Sequence, residues 1–191
     1  MLFRSHIKLA VNLSVVQIEA EGLLPAVVSA LAHSGLAPER LEFELTESIF
    51  LSDGTTTGKT LDALRALGIT LALDDFGTGY SSLGYLQRAE FAKIKIDRAF
   101  VKAAAEGNED SLAIIRAIVS MAGGLGMATT AEGVETEEER RLVCELGCSE
   151  IQGFLIGRPE RREAAPEAAA NVAPLKAPKD RRRGGRGAKA A

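Results

Sequence analysis

No stretch of this 191-residue chain approaches the roughly 18 consecutive apolar residues that a membrane-crossing helix requires. The opening residues, Met1 to His6, carry no apolar core of a signal peptide. These two absences set a cytoplasmic protein without a membrane span as the expectation. Cysteine is scarce as well. Cys144 and Cys148 lie four apart in a helical pattern and read as free thiols. Two cysteines with neither histidine nearby cannot complete a tetrahedral zinc site. Large apolar residues nearly vanish after Pro159, where the chain runs out in Ala, Pro, Gly and Arg, ending "APKDRRRGGRGAKAA". Such a composition cannot bury a core, so residues 160–191 are expected to be a disordered tail.

What remains, residues 1–159, is long enough for one domain with a core, and 46% of the whole chain is hydrophobic. The formal net charge of −3 conceals an asymmetry. Residues 1–157 hold 13 Lys+Arg against 22 Asp+Glu, a net of −9, and residues 158–191 hold 10 against 4, a net of +6. The basic tail is the one segment whose charge suits nucleic acid or an anionic surface. The plainer reading is a solvated tail with no dedicated role.

Short apolar runs alternate with helix-like segments. Strands are expected at Leu9–Leu13, Leu41–Thr46, Ile69–Asp74, Ala92–Ile96, Met127–Glu132 and Glu150–Gly153. Helices are expected at Leu23–Ser34, ending before Gly35, and at Thr55–Leu67, Glu109–Gly123 and Thr136–Leu146. This rhythm predicts an α/β protein with a parallel sheet. Alternate strand residues face opposite sides. Leu9, Val11 and Leu13 oppose Ala10 and Asn12; Leu41, Phe43 and Leu45 oppose Glu42, Glu44 and Thr46; Ile69, Leu71 and Leu73 oppose Thr70, Ala72 and Asp74; Ile94 and Ile96 oppose Lys93, Lys95 and Asp97. A doubly wound sheet would be apolar on both faces. One bulky face and one small or charged face fit a barrel whose polar residues turn inward, or a half-sheet with solvent on its polar side. Repetition over five strands favours the barrel.

In a barrel, the residues at the strand C-termini share one mouth. Here these are Asn12, Glu44, Asp74, Asp75, Lys95, Asp97 and Glu132. So many carboxylates repel one another unless cations neutralise them, and hard oxygen ligands suit Mg²⁺, Mn²⁺ or Ca²⁺. Adjacent Asp74 and Asp75 point to opposite faces of a regular strand, so both serve one site only if the chain turns; Phe76-Gly77-Thr78-Gly79 offers such a turn. A bridging aspartate would hold two metals about 4 Å apart, as in phosphoester hydrolysis. Taken singly, each of these residues has an ordinary reading as a surface charge or a turn.

The ordered set is more specific. "VNLSVVQ" at 11–17, "ELTES" at 44–48, "DDFGTGYSSL" at 74–83, "KIDRAFV" at 95–101, "AEGVET" at 131–136, "QGF" at 152–154 and "GRP" at 157–159 resemble, in order, the motifs of EAL-type cyclic di-GMP phosphodiesterases. The resemblance implies a TIM-like (β/α) barrel, two Mg²⁺ or Mn²⁺ ions, and hydrolysis of cyclic di-GMP to pGpG in bacterial signalling. It implies metal ligation by Asn12, Glu44, Asp74, Asp75 and Asp97. It implies that Lys95 steadies the attacking water or the phosphate charge and that Glu132 positions or deprotonates that water. Gln152 would border the site. Glu47 would anchor the loop from Phe76 to Ser82, including Gly77, Thr78 and Gly79, through which the family couples homodimerisation to metal binding.

The sequence also departs from that pattern. The Glu-Ala-Leu motif itself is absent, and Ala92 stands where the family often has Asp. Residues 1–159 are therefore expected to form a partial EAL domain of about six strands, with two leading strand–helix units missing and weak activity or none. Three readings stay open on the sequence: a phosphodiesterase, a cyclic di-GMP-binding or protein-interaction module without hydrolysis, and a gene fragment.

Overall fold

A computed structural model describes residues 7–51, 54–77, 86 and 90–159. The expected tail therefore lies outside the described residues, as do Thr78 and Gly79. Six strands form one sheet: β1 Leu9–Leu13, β2 Leu41–Thr46, β3 Thr70–Phe76, β4 Lys93–Ile96, β5 Ala128–Ala131 and β6 Glu150–Ile151. They pair in sequence order and every pairing is parallel. The helices are α1 Val15–Ile18, α2 Leu23–Ser34, α3 Gly54–Ala66, α4 Arg98–Ala105, α5 Glu109–Gly124 and α6 Glu137–Glu145. Among the described residues, no helix is long and apolar enough to cross a membrane.

Local chemistry explains the helix boundaries. Gly35 closes α2 at φ 64°, the left-handed conformation that glycine adopts without strain. Thr136 and Glu139 form a reciprocal capping box at the start of α6. Asn108 caps α5 through the Ser111 N–H. Helix α4 was not among the expected elements. It follows β4 after a single residue, Asp97, whose carboxylate caps it by accepting from the Ala99 N–H at 2.8 Å.

One face of the sheet carries Phe43, Leu45, Leu71, Leu73, Ile94 and Ile96, all buried in a core with Leu61 and Leu64 of α3, Val101 of α4, Ile115 and Ile118 of α5 and Val143 of α6. The edge strand β1 is less covered, with Leu9 and Val11 exposed. The opposite face bears Glu42, Glu44, Lys95, Thr130 and Ala72, and these are buried too. A flat half-sheet with solvent on its polar side is thereby excluded.

The reason is curvature. The Lys93 ammonium on β4 lies 3.0 Å from Glu42 on β2 and 2.7 Å from Glu150 on β6. Adjacent strands stand about 4.8 Å apart, so two strands that are four places apart in a flat sheet would be roughly 19 Å apart. One ammonium can touch both only if the sheet curls toward a barrel. Alternate strands supplying one interior layer is the packing rule of (β/α) barrels.

Candidate active site at the strand C-termini

Five residues from four chain segments meet at the carboxyl ends of the strands. Glu44 comes from β2, Asp74 and Asp75 from β3, Lys95 from β4, and Glu132 from the residue after β5. Lys95 is their hub. Its ammonium lies 2.9 Å from Glu44, 3.1 Å from Asp74 and 2.6 Å from Glu132, and the residue is 3% exposed. One carboxylate oxygen each from Asp74, Asp75 and Glu132 fall within 4.8 Å of one another.

The two aspartates reach one site by a device in β3. Leu73 pairs with Ile94 but Phe76 pairs with Ile96, so β3 contains one residue more than β4 over this stretch. That is a β-bulge. Asp75 takes up the extra residue at φ 54°, an uncommon conformation for a non-glycine residue, while its N–H donates to the Asp74 carboxylate at 3.1 Å. The expectation placed the turn in Phe76–Gly79; the structure places the irregularity at Asp75 itself and continues the strand to Phe76. Gly77 follows at φ 97°, with its N–H donating to the Glu47 carboxylate at 2.7 Å. The buried Glu47 thus touches the start of the segment that the sequence pattern singled out.

Electrostatics follow from this crowding. Burial alone would lower the Lys95 pKa, but hydrogen bonds to Glu132 and Glu44 and the nearby Asp74 charge outweigh it and hold the ammonium above the ordinary lysine range. Burial raises the Glu132 carboxyl, with Asp74 and Glu44 adding to the rise against the opposing pull of Lys95. Asp75 is likewise raised, by burial first and then by Asp74 and Asp97. Carboxyls held above their usual range beside further carboxylates form a site that gains from a divalent cation. Oxygen donors alone suit a hard ion. The residues present fit such an ion.

The remaining expected residues take other places. Asn12 is exposed on β1 and lies in register with Glu44. Asp97 lies close enough for its charge to act on Asp75, yet its carboxylate caps α4 and stands outside the three-carboxylate group. Gln152 follows β6, and its backbone pairs with Ala131 and Val134 beside Glu132, while its side chain is exposed.

A second charged layer below the site was not anticipated. It consists of Glu42, Lys93 and Glu150, with Thr130 donating to Glu150 at 3.0 Å and Lys8 3.8 Å from Glu42. Burial would lower the Lys93 pKa, but the two carboxylates more than offset it. The available signal was position: Glu42, Lys93 and Thr130 each stand two before a residue of the site, Glu44, Lys95 and Glu132.

Comparison with known proteins decides the family. A family model described as the EAL domain matches residues 2–159. This chain belongs to the EAL domain family. The EAL chain is 44% identical over 151 residues to a bifunctional diguanylate cyclase/cyclic di-GMP phosphodiesterase, MucR, from Pseudomonas aeruginosa, covering 79% of this chain and 22% of that protein. It is 39% identical over 153 residues to the cyclic di-GMP phosphodiesterase RocR of the same organism, covering 80% of this chain and 39% of RocR. A solved structure of the MucR phosphodiesterase in complex with c-di-GMP superposes with a TM-score of 0.75 at 43% identity, over 80% of this chain and 61% of that one. A Klebsiella pneumoniae BlrP1 structure holding manganese and c-di-GMP gives 0.73 at 35% identity, over 80% and 39%. The EAL chain thus spans about a fifth of the MucR relative and less than two thirds of the MucR phosphodiesterase structure.

Proposed function

We propose that this chain is the catalytic portion of a metal-dependent phosphodiesterase that hydrolyses cyclic di-GMP to pGpG. The observation that carries this reading is the convergence of Glu44, Asp74, Asp75 and Glu132 around one buried ammonium at the strand ends. Its likeness to the MucR phosphodiesterase and to BlrP1, both of which hold c-di-GMP in their structures, supports this substrate.

In this reading Asn12, Glu44, Asp74, Asp75 and Asp97 supply oxygen ligands for two Mg²⁺ or Mn²⁺ ions. When bound, such ions lower the pKa of water and offset charge on the phosphate. Glu132, whose carboxyl is raised by burial, takes the proton from the attacking water at one carboxylate oxygen. Lys95, fixed by its three carboxylates, presents a positive charge where negative charge grows on the phosphate. Gln152 borders the dinucleotide. Glu47, through its bond to the Gly77 N–H, links the site to the segment that continues with Thr78 and Gly79, through which two copies pair. Residues 1–159 form the domain and residues 160–191 a separate tail, in a cytoplasmic protein.

The test is direct. The purified chain with Mn²⁺ or Mg²⁺ and cyclic di-GMP should release pGpG, read by chromatography, and Glu132→Gln should abolish it. Calorimetric binding of cyclic di-GMP without product would instead make the chain a binding module. Neither binding nor turnover would end the proposal for this chain.

A further inference from the structure

The lower charged layer has no part in the chemistry above. Its position nonetheless ties it to the site. Lys93 touches Glu42 on β2 at 3.0 Å and Glu150 on β6 at 2.7 Å. Two residues further along β2 and β4 stand Glu44 and Lys95, while Gln152 follows the end of β6. A two-residue step preserves the strand face. The ion pairs below therefore hold β2 and β4 at the spacing from which Glu44 and Lys95 project, and tie β6 to both.

Two features argue against an incidental salt bridge. Glu42 is 4% exposed and the Lys93 side chain 11%, so the charges are costly to bury and are kept in spite of that. The bonds are also not between neighbours. Lys93 reaches across the interior, past β3 on one side and β5 on the other. Apolar side chains could fill the same space, but they would not fix one register. Buried ionic groups serve best where a single arrangement must be specified.

We propose that Lys93, with Glu42 and Glu150, is a positioning element that sets the curvature of the sheet and thereby the cation affinity of the carboxylate site. This rests on the metal-site reading given under Proposed function. Lys93 acts through the strands and touches no reacting atom.

The test is a Mn²⁺ titration by calorimetry on the whole chain, with circular dichroism as the check of folding. Lys93→Met/Glu42→Gln removes both cross-sheet bonds without altering net charge. The remaining Glu150 has a half-exposed side chain and keeps its bond from Thr130. The Mn²⁺ dissociation constant should rise at least about tenfold, as when supporting groups of a metal site are lost. Lys93→Arg, which retains both partners, should stay within about twofold of wild type. Affinity within about twofold of wild type in the folded double variant would overturn the proposal. If the double variant does not fold, Glu150→Gln decides, measured at about 0.3 M salt to screen the change of one charge. It weakens only the link to β6, by removing its charge, and should weaken Mn²⁺ several-fold; unchanged affinity would again overturn the role. Wild-type chain that binds no Mn²⁺ would instead remove the site reading, and this proposal with it.

Discussion

Replacing Lys95 by Met tests the electrostatic logic of the site most sharply. The substitution keeps a flexible side chain of similar length and removes the charge that three carboxylates share. Lys95 is nearly inaccessible, while the side chains of Glu44, Asp74 and Glu132 are 10%, 13% and 18% exposed. Breaking a buried ion pair costs about 3–5 kcal/mol, because the orphaned charge stays desolvated. The partial exposure of the three partners argues for the lower end, about 3 kcal/mol. For a domain of this size that corresponds to a fall in Tm of about 6–12 °C in the absence of divalent ions. Mn²⁺ should then do for the variant what the ammonium does for the wild type. At about one hundred times its Kd, an ion contributes about 2.7 kcal/mol, enough to bring the variant close to the metal-free wild type. Stability without Lys95 should also rise as pH falls. The Glu132 and Asp75 carboxyls have folded pKa values raised above their unfolded ones, chiefly by burial, so their penalty is present at neutral pH and fades as they protonate. In the wild type the Lys95 contribution has the opposite window. Its folded pKa lies above the unfolded 10.5, so the contribution is complete below about that pH and is lost as pH rises through the folded value. Scanning calorimetry of both proteins, with EDTA and with Mn²⁺, at pH 5 and pH 7.5, measures the loss, its rescue by the ion and the pH dependence of the variant. A metal-free Tm within about 2 °C of wild type, or a variant Tm that Mn²⁺ does not raise, would refute the reasoning.

Other perturbations have clear expected outcomes. Gly153→Ala would place a Cβ 2.1 Å from the Val134 carbonyl oxygen, a backbone atom that cannot swing away; overpacking of this kind should cost about 2–3 kcal/mol in urea denaturation. Thr136→Ala removes the hydroxyl that accepts from the Glu139 N–H at the start of α6 and should cost about 1 kcal/mol, read in the same assay. Burial pushes the Cys148 thiol up to about 11, so at pH 8 it should be alkylated at least about tenfold more slowly than exposed Cys144, as followed by peptide mass spectrometry. The Cys148 rate should climb as pH rises toward 11, because only the thiolate reacts. Glu47→Gln weakens the bond from the Gly77 N–H and should lower Mn²⁺ affinity more than it lowers Tm, as calorimetry on the folded variant would show.

Much of this arrangement was legible in the sequence because strands announce themselves by alternation. Phe43 and Leu45 against Glu42 and Glu44, or Ile94 and Ile96 against Lys93 and Lys95, assign both the element and its two faces. The helix ends were legible where a glycine or a capping pair marks them, as at Gly35 and Thr136–Glu139. Helix α4 escaped because Asp97 reads equally well as the last residue of a strand and as a cap, and only backbone geometry separates the two. The bulge at Asp75 escaped for a related reason. Side-chain alternation predicts that Asp74 and Asp75 diverge, and one backbone conformation that no residue pattern encodes reverses the prediction.

The lower layer exposes a different limit. Glu42, Lys93 and Glu150 are 51 and 57 residues apart along the chain, on strands that are not neighbours in the sheet. Nothing local marks them as partners. Their meeting depends on curvature, which is a property of the whole sheet. Yet once the sheet is known to curl, the periodicity that finds the strands also finds this layer. A site built at the strand ends must have interior residues two positions earlier, and they must be compatible with burial. Here Glu42 and Lys93 are charged and, with Glu150, mutually neutralising, while Ala72 and Thr130 carry no charge. The same ammonium–carboxylate arrangement therefore occurs twice in succession, as Lys93 with Glu42 and Glu150 and then as Lys95 with Glu44, Asp74 and Glu132. The two layers differ in stoichiometry. Lys93 faces two carboxylates with Lys8 nearby, which leaves the lower layer close to balanced, whereas Lys95 faces three with Asp75 beside them. The excess negative charge is confined to the upper layer, and that is where a cation has something to neutralise.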